Sequence, residues 1–487
     1  MSIRLDSQAT FVTNVKGVFK SNARNIPISF SESPLLLGLI DALMVILAAQ
    51  GGLLLLKMTT AMSLNMFDPV VNWIWFPVLV AGWWILAWIN DLYDIPSSTN
   101  ATLNIARVGI AAFLGLLVYG VTFFATIPMP TRYFLGYFLL LAPLFLIFWR
   151  WTYAKVLSMP LFCHRVIIVG SGERSKSIAN TLKQKSLGNY EILGYVNDCQ
   201  DERGPLENDL PVLGGEADLP FLVEALQVHR IVVAKQRILE YDTVRYLVES
   251  QALGARLSLM PDLYGQLYRR IPIEHIDPIW ALHALQGRAG VGNFQQSIKR
   301  LADIFLAVVG LVILSPVFPL LGLAIRLDSP GPILYRQIRC GKAGKPFSII
   351  KLRTMKIDAE EDGKARWATE RDPRITRVGF YLRKTRLDEL PQLLNMLKGE
   401  MSFIGPRPER PEFVKELQEA IPFYRTRLMV KPGLTGWAQV HYDYGNSVED
   451  ALVKLQYDFY YMRHWSLLMD LYIIFRTIGV VLKFKGT

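Results

Sequence analysis

Leu311-Val312-Ile313-Leu314-Ser315-Pro316-Val317-Phe318-Pro319-Leu320 is the stretch on which the fold turns. It lies in the middle of an apolar run from Lys299 to Arg326 that is long enough for one membrane crossing. Pro316 removes a backbone donor and its ring clashes with the preceding turn, so a helix must bend there. Ser315 carries a hydroxyl able to serve the carbonyls that such a bend frees, which matters in lipid. Cations flank both ends: Lys299 and Arg300 before, Arg326, Arg336 and Arg339 after. Positive residues stay on the cytoplasmic side, so the run should enter and leave by one face. A re-entrant membrane helix over 298–327, broken at Ser315 and Pro316, is expected instead of a kinked span or a soluble core helix.

Upstream, four more apolar runs follow a polar N-terminal segment, 1–34, in which no removable signal peptide is expected. They are Pro34–Leu56, Val70–Ile89, Val108–Ile127 and Tyr133–Phe148, each near the ~20 residues that span a bilayer core, the last being the shortest. Lys and Arg cluster before the first run and after the fourth (Arg150, Lys155, Arg165), which puts both ends in the cytoplasm. The totals agree with a membrane protein: of 487 residues, 51% are hydrophobic and 20% charged. A net charge of +11 suits anionic lipid or phosphate-rich substrates. No basic tail, zinc spacing or aromatic RNA-binding signature points to nucleic acid. Cys163, Cys199 and Cys340 lie far apart, an odd count without metal spacing that fits a reducing compartment.

Composition changes at Cys163. Arg165-Val166-Ile167-Ile168-Val169 reads as a buried parallel strand, followed by Gly170-Ser171-Gly172-Glu173-Arg174-Ser175 and a helix to about Lys185. A second strand, Ile192 to Val196, ends at Asn197-Asp198, and a third runs from Arg230 to Val233. Strand, glycine turn, helix, strand and acid make a Rossmann-like domain over 163–285. Ser175 stands where the third glycine would allow close helix–strand packing, so a structural or regulatory domain is expected more than bound NAD. A glycine-rich linker, 286–297, leads to the re-entrant run.

Downstream, Leu334 to Gln337 and Phe347 to Met355 read as two strands joined by the Gly341–Pro346 turn, with Lys351 and Arg353 on one face of the second. Asp372-Pro373-Arg374-Ile375-Thr376 reads as a turn before a short helix carrying Arg383. Two adjacent carboxylates, Asp388 and Glu389, then follow a basic cluster where a helix begins, with Pro391 in its first turn. Both are expected to be ionised at neutral pH, the cations favouring that form. An ionised Asp can serve as an oxygen nucleophile, and its neighbour can hold Mg²⁺. Phe403 to Glu409 and Lys431 to Trp437 are rigid Gly/Pro turns. The tail from about Val448 to Phe484 has the composition to lie on the membrane surface, with its aromatic residues at headgroup depth.

From Lys299 onward the chain resembles the bacterial polyprenyl-phosphate sugar-1-phosphate transferases, the monotopic phosphoglycosyl transferases that initiate exopolysaccharide, capsule and O-antigen assembly. The resemblance rests on Ser315-Pro316, Lys351-Leu352-Arg353-Thr354-Met355, Asp372-Pro373-Arg374-Ile375-Thr376, Leu387-Asp388-Glu389-Leu390-Pro391-Gln392, Gly405-Pro406-Arg407-Pro408 and Lys431-Pro432-Gly433-Leu434-Thr435-Gly436, in that order. It implies a ping-pong reaction between a UDP-sugar and polyprenyl (undecaprenyl) phosphate, with Asp388 as nucleophile and Glu389 as the Mg²⁺ ligand. Lys351, Arg383 and Arg407 match basic positions that face the substrate phosphates. Arg353, on the strand face of Lys351, is expected to join them. Arg386 departs from the Ser that many members carry. The four spans and the Rossmann-like domain resemble the large form of the family in architecture.

The expected fold is therefore a membrane α/β protein: a four-helix transmembrane segment over 34–150, a Rossmann-like α/β domain, and a monotopic α+β catalytic domain, 328–487, behind the re-entrant helix. The inner membrane is the implied location, both soluble domains are placed in the cytoplasm, and the added spans offer a surface for a homodimer. One rival, a membrane-bound NAD-dependent sugar-nucleotide oxidoreductase, needs a Tyr-x-x-x-Lys pair that residues 163–285 lack. Another, a non-enzymatic polysaccharide assembly protein, leaves Asp388 and Glu389 without a role.

Overall fold

The structure is a computed structural model. It describes residues 34–59, 75–90, 92–93, 101–124, 129–157, 164–170, 172–185, 190–197, 210–235, 240–286, 293–357, 372–442, 445 and 447–482. The N-terminal segment, the connector at 287–292, Ser171, Asp198, Cys163 and Cys199 lie outside the described residues. The chain divides into two compact units, Met1–Leu267 and Tyr268–Thr487.

The first unit opens with four apolar helices: α1 (Pro34–Thr59), α2 (Trp75–Ile89), α3 (Ala101–Phe124) and α4 (Met129–Leu157). Leu36–Thr59 and Tyr133–Lys155 are long and apolar enough to cross a membrane; Phe76–Ile89 and Thr102–Leu116 are shorter apolar stretches. Leu37, Val45, Ala48, Val108, Ala111, Phe138 and Leu146 pack inward. Leu39, Leu43, Leu140, Leu144 and Phe148 face out, the arrangement of helices whose solvent is lipid. The fourth apolar run was read as the shortest, yet α4 is the longest of these helices at 29 residues. It continues past Phe148 because the buried Arg150 guanidinium is neutralised by Asp41 of α1 at 2.5 Å and donates to the Leu92 carbonyl at 2.9 Å. A charge in apolar surroundings is tolerated when paired in this way.

The same unit then carries β1 (His164–Val169), α5 (Glu173–Lys185), β2 (Tyr190–Val196), β3 (Val212–Gly214), α6 (Leu219–Leu226), β4 (Arg230–Val233), α7 (Tyr241–Ala252) and β5 (Arg256–Leu259). The five strands form one parallel sheet in the order β3-β2-β1-β4-β5. That is the doubly wound arrangement expected from the strand–glycine turn–helix pattern. Gly170, at φ +116°, ends β1 where an added Cβ would meet the Lys235 amide nitrogen at 3.1 Å.

The second unit begins earlier than the sequence suggested. Residues 268–285 were assigned to the Rossmann-like domain, but Ile271, Ile273, Ile276 and Ala281 are buried in the same core as Leu455, Phe459 and Met462. The Ile271 amide donates to the Gln456 carbonyl at 3.1 Å, and Trp280, on α8 (Pro278–Gln286), stacks on Phe459. Apolar residues without strand or helix periodicity do not reveal which core they enter, so the boundary at 285 moves to 267.

Helices α9 (Asn293–Leu314) and α10 (Val317–Asp328) meet at an angle of 64° across Ser315-Pro316. The Ser315 hydroxyl donates to the Val312 carbonyl at 2.8 Å, the satisfaction that the bend requires. One face of α9 packs through Ala307, Leu311 and Leu314 on a core with Phe347, Ile349, Leu393 and Met396. Leu301, Phe305, Val312, Ile313, Leu320, Leu323 and Leu327 of the pair are exposed. Asp303 accepts from the Ser402 hydroxyl and the Phe403 amide, and Arg300 donates to the carbonyls of Met396 and Leu397 at 2.6 and 2.7 Å. Polar residues on an otherwise apolar helix thus fix it to the core of the second unit.

That core holds the antiparallel pair β6 (Leu334–Cys340) and β7 (Pro346–Leu352), α11 (Arg377–Lys384), a 3-10 turn at Leu387–Gln392, and α12 (Leu393–Lys398). It continues with β8 (Ser402–Ile404), α13 (Pro411–Ala420), β9 (Gly433–Thr435) parallel to β8, α14 (Trp437–His441), α15 (Val448–His464) and α16 (Leu467–Leu482). Of the aromatic residues expected at a surface in the C-terminal helices, Tyr457, Tyr460, Trp465, Tyr472 and Phe475 keep partial exposure while two do not. Phe459 and Tyr461 of α15 are buried, and α16 buries Ile473 while leaving Leu468, Leu471 and Ile478 exposed.

Candidate active site

The site is built on the end of β7 and the turn that follows α11. Thr376 caps α11, its hydroxyl accepting from the Gly379 amide at 3.0 Å. Gly379 has no room for a side chain, since a Cβ would lie 2.1 Å from the Thr354 carbonyl oxygen. This close approach sets α11 against the segment after β7, bringing Arg383 near Lys351. After Thr385 the chain turns through Arg386 at φ +60°, a left-handed conformation that costs a non-glycine residue about 1–2 kcal/mol. The turn delivers Asp388 and Glu389 side by side, 8% and 6% exposed. Pro391 lies within the 3-10 turn that carries them, ahead of α12.

Cations favour the ionised form of both carboxylates, as expected, but burial outweighs them at Asp388 and not at Glu389. Glu389 Oε1 accepts from Arg407 Nη2 at 2.7 Å and from Lys351 Nζ at 3.1 Å, and Arg386 Nη1 stands 3.9 Å away. Burial alone would raise its pKa; Arg407, Lys351 and Arg386 overcome that and hold it well below the ordinary carboxylate value. Asp388 has no such partner: its Oδ1 is buried without a hydrogen bond. Burial, then the charge of Glu389, push its pKa up to about 6 against the pull of Lys351, Arg383 and Arg386. Burial also lowers Lys351, which its contact with Glu389 opposes.

A cavity of about 570 Å³ opens over this pair and is lined by Lys351, Arg383, Arg386, Asp388, Glu389 and Arg407 among others. Of the residues singled out from sequence, it therefore gathers Asp388, Glu389, Lys351, Arg383 and Arg407. Arg353 also borders it, but its guanidinium donates to the Pro330 carbonyl and, at 2.7 Å, to the Ser329 carbonyl. β7 ends at Leu352, so the alternation that placed Arg353 beside Lys351 no longer applies. Arg353 ties down the end of α10 instead of facing a substrate phosphate. Ser315 and Pro316 shape the bend between α9 and α10 and take no part in the cavity lining.

Three further cations were not read from sequence as part of the site. Arg427, 5% exposed, donates to the Arg407 carbonyl at 3.0 Å and the Tyr424 hydroxyl at 2.6 Å, and pairs with Asp458 at 3.1 Å. Arg339 donates to the Pro408 carbonyl at 3.3 Å. Together they fix the backbone of the Gly405-Pro406-Arg407-Pro408 turn and so aim Arg407 at Glu389. Lys454 lines the far side of the cavity and donates to the Gly445 carbonyl at 2.6 Å. None stands in a motif of its own, and Arg427 and Arg339 reach partners 20 and 69 residues away in the chain.

The donor set suits Mg²⁺. Among the described residues no cluster of three or more His, Cys, Asp or Glu is built to hold a metal. Mg²⁺ commonly takes only one or two carboxylates and completes its shell with substrate phosphate and water. An ionised Glu389 beside the unpartnered buried oxygen of Asp388 meets that requirement.

The sequence matches the bacterial sugar transferase family over residues 294–484 and a CoA-binding domain family over residues 88–250. Among curated proteins it is 41% identical over 229 residues to a UDP-N-acetylgalactosamine-undecaprenyl-phosphate N-acetylgalactosaminephosphotransferase of Aeromonas hydrophila, covering 44% of this chain and 53% of that protein. It is 33% identical over 326 residues to the UDP-glucose:undecaprenyl-phosphate glucose-1-phosphate transferase of Escherichia coli K12, covering 66% of this chain and 67% of the relative. A putative undecaprenyl-phosphate N-acetylgalactosaminyl 1-phosphate transferase of Bacillus subtilis shares 54% identity over 132 residues, 27% of this chain and 73% of that protein. The first match spans about half the length of its relative, the second about two thirds. On this shared sequence, and with helices apolar enough to cross a bilayer, the chain is a membrane protein that belongs to the bacterial sugar transferase family.

Proposed function

We propose that the protein transfers a hexose-1-phosphate from a UDP-sugar to polyprenyl phosphate, releasing UMP, through a covalent phosphosugar on Asp388. One observation carries this reading: a buried carboxylate oxygen without a hydrogen bond lies in a cavity walled by Lys351, Arg383, Arg386 and Arg407. In the first step an Asp388 oxygen attacks the β-phosphorus of the donor. The bond from that phosphorus to the bridging oxygen breaks, and UMP leaves with the electron pair. In the second step an oxygen of polyprenyl phosphate attacks the same phosphorus, the Asp388–phosphorus bond breaks, and the carboxylate is restored. Lys351 and Arg407, held in place by Glu389, neutralise charge on the phosphate oxygens, which is the main demand of phosphoryl transfer. Bound Mg²⁺, held by Glu389, would supply further neutralisation of the diphosphate. The relatives' printed names, which pair UDP-sugars with undecaprenyl phosphate, support the substrate classes.

The test is UMP release by the detergent-extracted full chain. Sustained turnover should require polyprenyl phosphate, while one equivalent of UMP appears without it. Since Asp388 must be ionised to attack, kcat/KM for the donor should fall as the pH is lowered through about 6. A panel of UDP-hexoses and UDP-N-acetylhexosamines that yields no UMP would sink the reading.

The cavity must meet a lipid phosphate at the membrane surface, and the bent α9–α10 pair is the element able to hold it there. In this proposal the pair is re-entrant, α1–α4 all cross the inner membrane, and both soluble domains are cytoplasmic, at the first membrane step of polysaccharide synthesis. Gly290→Cys and Lys345→Cys, in a background without native cysteines, should both resist an impermeant maleimide in spheroplasts and both react after permeabilisation. Labelling of one alone in intact spheroplasts would make the pair a through-span.

A further inference from the structure

We propose that the prenyl chain of the lipid acceptor leaves the reaction cavity over a rim made by Pro332, Leu334 and Ile357, an inference that rests on the polyprenyl-phosphate reading above. Burial sorts the apolar part of the cavity lining. Leu352, Phe413, Leu417 and Val440 are buried, whereas Leu334, Tyr335 and Ile357 are exposed, Ile357 at 66%. The exposed residues are neighbours. Leu334 and Tyr335 open β6, where they pair with Leu352 and Lys351 of β7. Ile357 comes after β7 and lies against Gly331, where an added Cβ would be 2.5 Å from its Cδ1. Pro332 stands between Gly331 and β6 and lines the cavity too, and Lys356 adds an exposed cation to the same rim.

This rim adjoins the helices that carry the outward apolar faces. Ile333 and Leu352 share a small core with Ile325 of α10 and Leu382 of α11, and the Val378 amide of α11 donates to Asp328 at the end of α10 at 2.8 Å. On those two helices Leu320, Leu323, Leu327, Phe380 and Tyr381 are exposed. The chemistry of the two substrates decides which of them the rim receives. A UDP-sugar presents polar edges along its whole length and gains nothing from exposed Leu and Ile side chains. Polyprenyl phosphate joins one anionic head to a long hydrocarbon chain, which gains by covering apolar surface. Its phosphate must come to the phosphosugar on Asp388, beside Lys351. Tyr335 pairs with Lys351 and Leu334 is one strand residue further, about 3.4 Å, so a chain leaving that point meets apolar side chains at once. An ordinary lipid tail could cover the same surface, but it lacks a terminal phosphate to hold among the cavity's cations.

Kinetics of the full chain in detergent separate acceptor from donor. In the double variant Leu334→Ser, Ile357→Ser, KM for undecaprenyl phosphate should rise by about tenfold or more, the scale of losing apolar contact at two such side chains. KM for the donor, and the UMP released before acceptor is added, should not change. The melting temperature should hold, because both side chains are exposed. Leu334→Met with Ile357→Leu keeps the apolar surface and should match the wild type. A polyprenyl phosphate with a diazirine on its first isoprene units should label the peptides that carry Leu334 and Ile357. Unlabelled polyprenyl phosphate should displace that label, and phosphatidylglycerol should not. An unchanged acceptor KM in the serine variant, or an equal loss in the donor step, would overturn the inference while leaving the reaction intact. Displacement by phosphatidylglycerol as readily as by polyprenyl phosphate would also overturn it and make the rim a contact for bulk lipid. Specific labelling of a wild-type chain that releases no UMP from any donor would remove the transfer reaction and keep the rim.

Discussion

Asp388→Asn is expected to abolish turnover and, at the same time, to make the protein more stable. Activity should fall at least about 10⁴-fold, the scale seen when a nucleophile is removed from an otherwise intact site. Label should no longer exchange between UMP and UDP-sugar, because no covalent phosphosugar forms. The stability change follows from burial. The Asp388 carboxylate, lifted from 3.8 to about 6, is disfavoured in its charged form by the fold. Two units correspond to about 3 kcal/mol, which the neutral amide does not incur. The ionised group destabilises the folded state fully above pH 6 and not at all below its unfolded pKa near ~4. The variant's advantage should therefore be largest at pH 7 to 8 and vanish as the pH falls through that window. Surviving label exchange would remove Asp388 from the covalent step. A melting temperature below wild type at pH 7.5 would contradict the buried, unpartnered state of the carboxylate.

Glu389→Gln should lose activity too, with the opposite effect on stability. Glu389 is held ionised by Arg407, Lys351 and Arg386, so removing its charge takes from three half-buried cations the carboxylate they share. Breaking such a pair costs about 3 kcal/mol. Lys351, already lowered by burial, loses the contact that opposes that shift. With its cations released and its metal ligand neutral, the site should slow by about 10²- to 10³-fold, the usual scale for losing one preorganised electrostatic contact. Excess Mg²⁺ should not restore the rate. Full activity in this variant would take Glu389 out of the mechanism, and unchanged stability would mean that its ion pairs contribute nothing to the fold. Two neighbouring acids thus give substitutions of opposite sign, measurable in one melting series.

Much of this was legible in the residues. Ser315-Pro316 fixed a bend, because a missing amide and a ring clash act locally whatever surrounds them. An unbroken apolar run and a glycine turn gave the parallel sheet, and the family resemblance gave Asp388, Glu389, Lys351, Arg383 and Arg407. The errors share one cause. Arg353 was placed by strand alternation that stops one residue too early, and its partners are carbonyls more than twenty residues back in the chain. Residues 268–285 were given to the wrong unit because apolar side chains do not name the core they enter.

Local chemistry, then, set what the sequence determined by itself: where the chain bends, which strands run parallel, and which side chains carry charge near the catalytic pair. The tertiary structure alone decided how that charge is shared. Adjacent carboxylates look equivalent in a sequence, but Arg407 and Lys351, brought in from distant elements, both bond to Glu389 and leave an oxygen of Asp388 buried without a partner. Burial and long-range charge set the pKa of each group, and neither quantity can be read from nearest neighbours along the chain.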